Sequence, residues 1–75
     1  MKVVNILLKS INDVKDFVNI VNCYDFEIDL SSGRYVVDAK SIMGIFSLDL
    51  SKAIRVELHS EDTKKIEGEL AKFVI

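Results

Sequence analysis

One histidine, one cysteine and a scatter of hydroxyls and carboxylates are the only groups in this chain that could do chemistry. His59 ends the stretch IRVELH, whose alternation turns Arg55, Glu57 and His59 to one side. An imidazole near a carboxylate is the beginning of a general base. Catalysis needs a further partner, and the spacing supplies none, so His59 reads as a surface residue. Cys23 has no second cysteine to pair with, and one Cys with one His cannot complete the four ligands of a structural zinc site. It reads as a small buried hydrophobe with nothing to activate its thiol. Glu27 and Asp29 fall on the outer face of a strand, and Glu67 and Glu69 do not face each other on a helix. Neither pair makes an acid-base site. No phosphate loop, metal cluster or nucleophile triad is present, so the expectation is a non-enzyme without cofactor or metal. Among the hydroxyls, Ser10 and Ser41 each stand where an N-cap would.

Composition narrows the partners. Ten basic and twelve acidic residues give a net charge of −2 and a pI near 5.2, with the signs interleaved. A nucleic-acid groove or a membrane-binding patch would need clustered Lys and Arg, and neither partner is expected. No apolar run approaches the ~18 residues of a membrane span, and the apolar stretch near the start is too short for a signal-peptide core. The expected location is cytoplasmic. With 49% hydrophobic residues, 29% charged residues and a mean hydropathy of +0.24, the chain is expected to fold as one domain over residues 1–75.

The elements that must position these groups are legible in the periodicity. KVVNILLK, residues 2–9, suits a strand, although Val3 and Leu7 compete with Val4, Ile6 and Leu8 for its inner face. Ile11, Val14, Phe17, Val18 and Val21 then recur at helical spacing, with Ser10 and Asn12 as alternative caps and Asp13 favouring the helix start. FEIDL, residues 26–30, alternates strictly; SSGR makes a turn in which Gly33 is free to adopt positive φ, and YVVDA returns as its antiparallel partner. Ile54, Val56 and Leu58 face inward on a fourth strand. Ser60 is the expected cap of a last helix with Glu61 and Asp62 in its first turn and Ile66, Leu70 and Phe73 as its buried stripe. The order β-α-β-β-α-β-α predicts an α+β open-faced sandwich, a four-stranded antiparallel sheet covered on one face by helices.

The short helix after Ser41 is unusual in being apolar nearly all round: Ile42, Met43, Ile45, Phe46 and Leu48. A helix of about two turns on a sheet can bury only one side, so some of these must stay exposed. An exposed patch with a Met and a Phe has the character of a protein-binding surface.

The order of elements and the motif Lys40-Ser41-Ile42-Met43-Gly44, continuing through Ile45, Phe46, Ser47 and Leu48, resemble the HPr family, the small phosphocarriers of bacterial sugar phosphotransferase systems. The likeness runs without gaps from Tyr24-Asp25 to His59, and the final helix fits by position. It implies that Ser41 is a regulatory phosphorylation site and that Ile42, Met43 and Phe46 dock partner proteins, with Lys40 beside them. Once Ser41 carries a phosphate, Lys40 and Lys52 are the cations expected to help recognise it. In that family the phosphoryl group rides on a histidine at the start of the first long helix, followed closely by an arginine and a proline. Counting back from Tyr24 puts Ser10 at the histidine position and Asn12 and Asp13 where the other two would stand. A phosphohistidine carrier needs a neutral imidazole, a helix N-terminus and a cation. Ser10 offers an unactivated hydroxyl, and Asp13 would repel a phosphate. The expectation is therefore an HPr-like regulatory or docking domain without histidine carrier activity. Its partners would be phosphotransferase-system components, a serine kinase or a transcription regulator. The alternatives are an unorthodox carrier using Ser10 or His59, and a self-associating module forming a homodimer.

Overall fold

A computed structural model describes residues 1–75. Four strands, β1 (Lys2–Ile6), β2 (Ile28–Ser32), β3 (Tyr35–Asp38) and β4 (Ile54–Leu58), form one sheet in the order β1-β4-β2-β3, with every neighbouring pair antiparallel. Helices α1 (Ile11–Val21), α2 (Ile42–Phe46) and α3 (Lys64–Leu70), the last continued by a 3-10 turn at Ala71–Phe73, accompany it. This is the open-faced sandwich that the hydrophobic periodicity predicts.

Alternation decides which face of the sheet is dry. Ile28 and Leu30 of β2 and Ile54, Val56 and Leu58 of β4 are buried, while Arg55 on the other face of β4 is exposed. Beneath the helices these residues meet Val14, Phe17 and Val21 of α1, Ile45 of α2, and Ile66, Leu70 and Phe73. Phe17 and Phe73 close the helical layer edge to face, their ring centres 6.2 Å apart. The unresolved choice in the first strand falls to Ile6 and Leu8, both buried, with Val4 packed against the same core. The strand also ends at Ile6 rather than at Lys9, and Leu7 to Ser10 form the connection to α1.

The hairpin turns through Gly33 and Arg34 between Ser32 and Tyr35, which are paired. Gly33 has φ +60° and Arg34 does not have positive φ, so glycine occupies the one position of this two-residue loop that demands it.

Three expectations are corrected. Ile11 is not part of the α1 core stripe: it is 63% exposed, because the helix turns only Val14, Phe17 and Val21 fully inward. Cys23 is exposed, its Sγ contacting the Asn19 carbonyl at 3.3 Å after the last turn of α1. Ser60 does not cap α3. Its Oγ is taken up by a local turn with Asp62, and the helix begins after Thr63, which is buried and donates to Glu67 at 2.6 Å. Lys64 and Lys65 consequently lie in the first turn, against the helix dipole. That arrangement costs about 0.3–1 kcal/mol per charge, less than the roughly 1.5–3 kcal/mol gained by burying each of Ile66 and Leu70.

Candidate functional site

Two helix N-termini and the apolar surface between them make up the region of interest. At the first, Ser10 is the N-cap of α1: its backbone is extended, and its Oγ accepts from the Asp13 amide at 3.1 Å. Asp13 reaches back, its carboxylate accepting from the Lys9 amide at 2.9 Å. The two bonds form a reciprocal cap that occupies the Asp13 amide, one of the free donors of the first turn, and sets a carboxylate at the helix start. Ser10 rather than Asn12 is therefore the cap.

At the second, Ser41 caps α2, with Oγ accepting from the Gly44 amide at 3.2 Å, and the Ser41 side chain is exposed. Gly44 matters for a steric reason. A Cβ there would lie 3.2 Å from the Val37 Cβ, so glycine lets α2 seat closely against β3. With that side fixed, Ile45 and Leu48 are buried and the rest of the helix faces solvent: Met43 is 78% exposed, Phe46 46% and Ile42 38%.

Phe46, at the end of α2, connects this helix to the start of α1. It lines a groove of about 460 Å³ together with Leu7, Ser10, Ile11, Leu50 and Ser51, so the apolar face of α2 runs into the start of α1. Ile11 and Leu50 belong to this surface and were not legible as such. Periodicity assigns Ile11 to the core, and nothing in the sequence shows that α1 leaves it beside Phe46. Asp49 borders the connection after α2, where hydrogen bonds from the Ser51 hydroxyl and amide, at 2.6 and 3.1 Å, hold its carboxyl below the ordinary carboxylate range. Lys52 is near it, 3.9 Å from the Asp49 carboxylate and largely exposed.

Lys40 is only partly exposed, and its Nζ donates to the Tyr24 carbonyl at 2.5 Å. It ties the approach to α2 to the connection between α1 and β2. The Tyr24 hydroxyl in turn bonds Glu69 on α3, and burial together with that carboxylate pushes its pKa up to about 12.

His59 stands apart from all of this, on the outer face of the sheet beyond β4. The partner missing from the sequence is Asp29, whose carboxylate lies 3.0 Å from Nε2. Only the pairing of β2 with β4 brings the two together, through the register that sets Asp29 opposite Glu57.

The fold has counterparts among known proteins. A family model described as "PTS HPr component phosphorylation site" matches residues 12–74. The chain belongs to the HPr family. Among solved structures, an HPr of Thermoanaerobacter tengcongensis superposes with a TM-score of 0.80 at 26% identity, covering 96% of this chain and 89% of that one. A phosphocarrier protein HPr of Bacillus anthracis gives a TM-score of 0.72 at 28% identity, covering 99% of this chain and 94% of that one. No curated protein sequence matches. This HPr-family chain contains no helix long and apolar enough to cross a membrane.

Proposed function

We propose that this HPr-family chain, a single HPr-like domain over residues 1–75, is a cytoplasmic regulatory or docking protein of a bacterial phosphotransferase system without histidine phosphocarrier activity. The observation that carries the reading is the reciprocal cap of Ser10 and Asp13 at the start of α1, in a chain whose sole histidine, His59, is on the outer sheet face. Ser10 is the position where the carrier histidine would stand, and its hydroxyl has no base beside it. Ile42, Met43 and Phe46 form the docking surface, extended by the groove to Ile11 and Leu50. Ser41 is the switch. A phosphate there adds about −1.5 to −2 charges beside this apolar surface and changes which partner it accepts. Of the two lysines offered for such a phosphate, Lys52 is exposed and held only by a long ion pair, whereas the Lys40 ammonium is engaged at Tyr24. The partners are phosphotransferase-system proteins, with a serine kinase or a transcription regulator as the regulatory counterpart.

A second reading, an unorthodox carrier acting through His59, draws on the carboxylate of Asp29 that orients its ring. Against it, His59 has no helix N-terminus to receive a phosphate, and nearby Arg55 is occupied by Glu57 at 3.2 Å. Intact-mass measurement after two incubations tests both readings. Phosphoenolpyruvate with the general phosphotransferase enzyme is expected to add no phosphate; ATP with the serine kinase is expected to add one, which Ser41→Ala abolishes. A phosphate from the first mixture, lost in Ser10→Ala or His59→Ala, would overturn the regulatory reading. Self-association would show as a concentration-dependent mass in light scattering that Phe46→Asp abolishes.

A further inference from the structure

The outer face of the sheet carries a cluster unrelated to either helix N-terminus. Asp29 on β2, Glu57 on β4 and His59 just beyond it each direct a ligand atom to one spot, all within 4.8 Å of one another. The positions are held by backbone pairing: Asp29 is opposite Glu57 in the register, and the His59 amide donates to the Glu27 carbonyl at 3.0 Å. From this geometry we infer a divalent transition-metal site, with zinc as its representative cation, held by the His59 imidazole and the Asp29 and Glu57 carboxylates.

The argument is one of distance and donor type. Zinc bonds of about 2.1 Å in a tetrahedral arrangement place neighbouring ligand atoms about 3.4 Å apart. The Nε2 of His59 and Oδ2 of Asp29 are already 3.0 Å apart, and closing the rest requires side-chain rotation only, since the strands fix the backbone. The metal takes the place of the proton shared by that pair. One imidazole with two carboxylates suits zinc better than magnesium, which prefers an all-oxygen octahedron. Two carboxylates also match the charge of a divalent ion. A competitor is present: the Arg55 Nε is 3.2 Å from one Glu57 oxygen, and the metal must displace or share it. Water completes the coordination on this open face.

The test is calorimetric titration of the untagged chain with zinc chloride and, in parallel, magnesium chloride. One zinc per chain is expected, and no magnesium binding at the same concentrations. His59→Ala and Asp29→Asn should each weaken zinc at least ~10-fold, while Arg55→Ala should tighten it by freeing Glu57. Cys23→Ser and Glu27→Gln should leave the affinity unchanged, and far-ultraviolet dichroism should show every variant folded. No zinc binding, binding that survives His59→Ala, or binding lost in Cys23→Ser would overturn the site. An affinity that Arg55→Ala does not change would overturn the place of Glu57 in it.

Discussion

Replacing Ser41 by Ala and by Asp separates the structural role of this hydroxyl from its proposed regulatory one. Ser41 Oγ satisfies the Gly44 amide, one of the donors that the first turn of α2 leaves without an intrahelical partner. Losing such a cap costs about 1 kcal/mol, because water can partly replace it at an exposed terminus. Unravelling α2 would cost more. Ile45 is wholly buried, and truncating a residue in that state costs roughly 2–5 kcal/mol, so the helix should stay docked in Ser41→Ala. For a chain of 75 residues, 1 kcal/mol lowers the melting temperature by about 4–8 °C. Asp caps about as well as Ser, and Ser41→Asp should therefore remain within about 0.5 kcal/mol of the parent. Urea unfolding followed by dichroism measures both, with the denaturant slope unchanged. A Ser41→Ala loss above ~3 kcal/mol would mean that the cap holds α2 in place, and Ser41→Asp falling as far as Ser41→Ala would refute the capping argument. If the reasoning holds, any change in partner binding caused by Ser41→Asp reports charge and not misfolding.

Met43 and Val36 are both large, exposed apolar residues, at 78% and 64%, but only Met43 is on the proposed docking surface. Met43→Ala should weaken binding to a phosphotransferase-system partner by about 1–2 kcal/mol, some 5–30-fold, while Val36→Ala on the outer face of β3 leaves it unchanged; titration calorimetry with equal losses would place the docking face elsewhere. Tyr24 should titrate near its raised value of about 12, read as ultraviolet absorbance in a Tyr35→Phe background, and Glu69→Gln should bring it down part of the way, since burial, the first cause, remains when the carboxylate is gone. Because the folded value is raised, the stability linked to Tyr24 is fully present below pH 10 and is lost as pH rises towards 12; unfolding measured across that range should show the loss, and Tyr24→Phe should remove it. Gly33→Ala meets no atom within 4 Å but must hold φ near +60°, so about 1–2 kcal/mol of backbone strain is expected in thermal unfolding, and a neutral result would mean that the turn relaxes.

Elements governed by local periodicity were legible in the sequence. Ile54, Val56 and Leu58 on β4 alternate without competitors, and the hairpin carries its own turn chemistry at Gly33. Where two readings tie locally, packing at a distance decides. Val3 and Leu7 against Val4, Ile6 and Leu8 is one such tie, settled by the pairing of β1 with β4, in which Val4 sits opposite the buried Val56. The start of α3 was misread for a related reason: Ser60 has the residue type of a cap followed by acidic residues, and only the position of Ile66 and Leu70 over the core selects the later start after Thr63. The companions of the candidate sites were not legible at all. Asp29 meets His59 across 30 positions of sequence, and Ile11 meets the Phe46 groove only after α1 and α2 have docked on the same side of the sheet. Periodicity reports which face is dry, and it carries no information about which wet or rim residues become neighbours.

Carrier chemistry and the proposed docking draw on different groups, although Ser10 and Phe46 line one groove. Accepting a phosphate at the start of α1 would need a nucleophile, free amide donors and nearby positive charge. That position has a serine in place of an imidazole, its Oγ already accepts from the Asp13 amide, and the Asp13 carboxylate adds the wrong sign of charge. Docking asks for none of these. It needs apolar area held on a rigid support, and α2 supplies it through Ile45 and Leu48 beneath and Gly44 against Val37 at its side, which leave Met43 and Phe46 no inward option. Substitutions at the start of α1 can therefore remove the transfer chemistry while the apolar face of α2 keeps its shape, because Gly44, Ile45 and Leu48, which fix α2, are not the residues that a carrier would use.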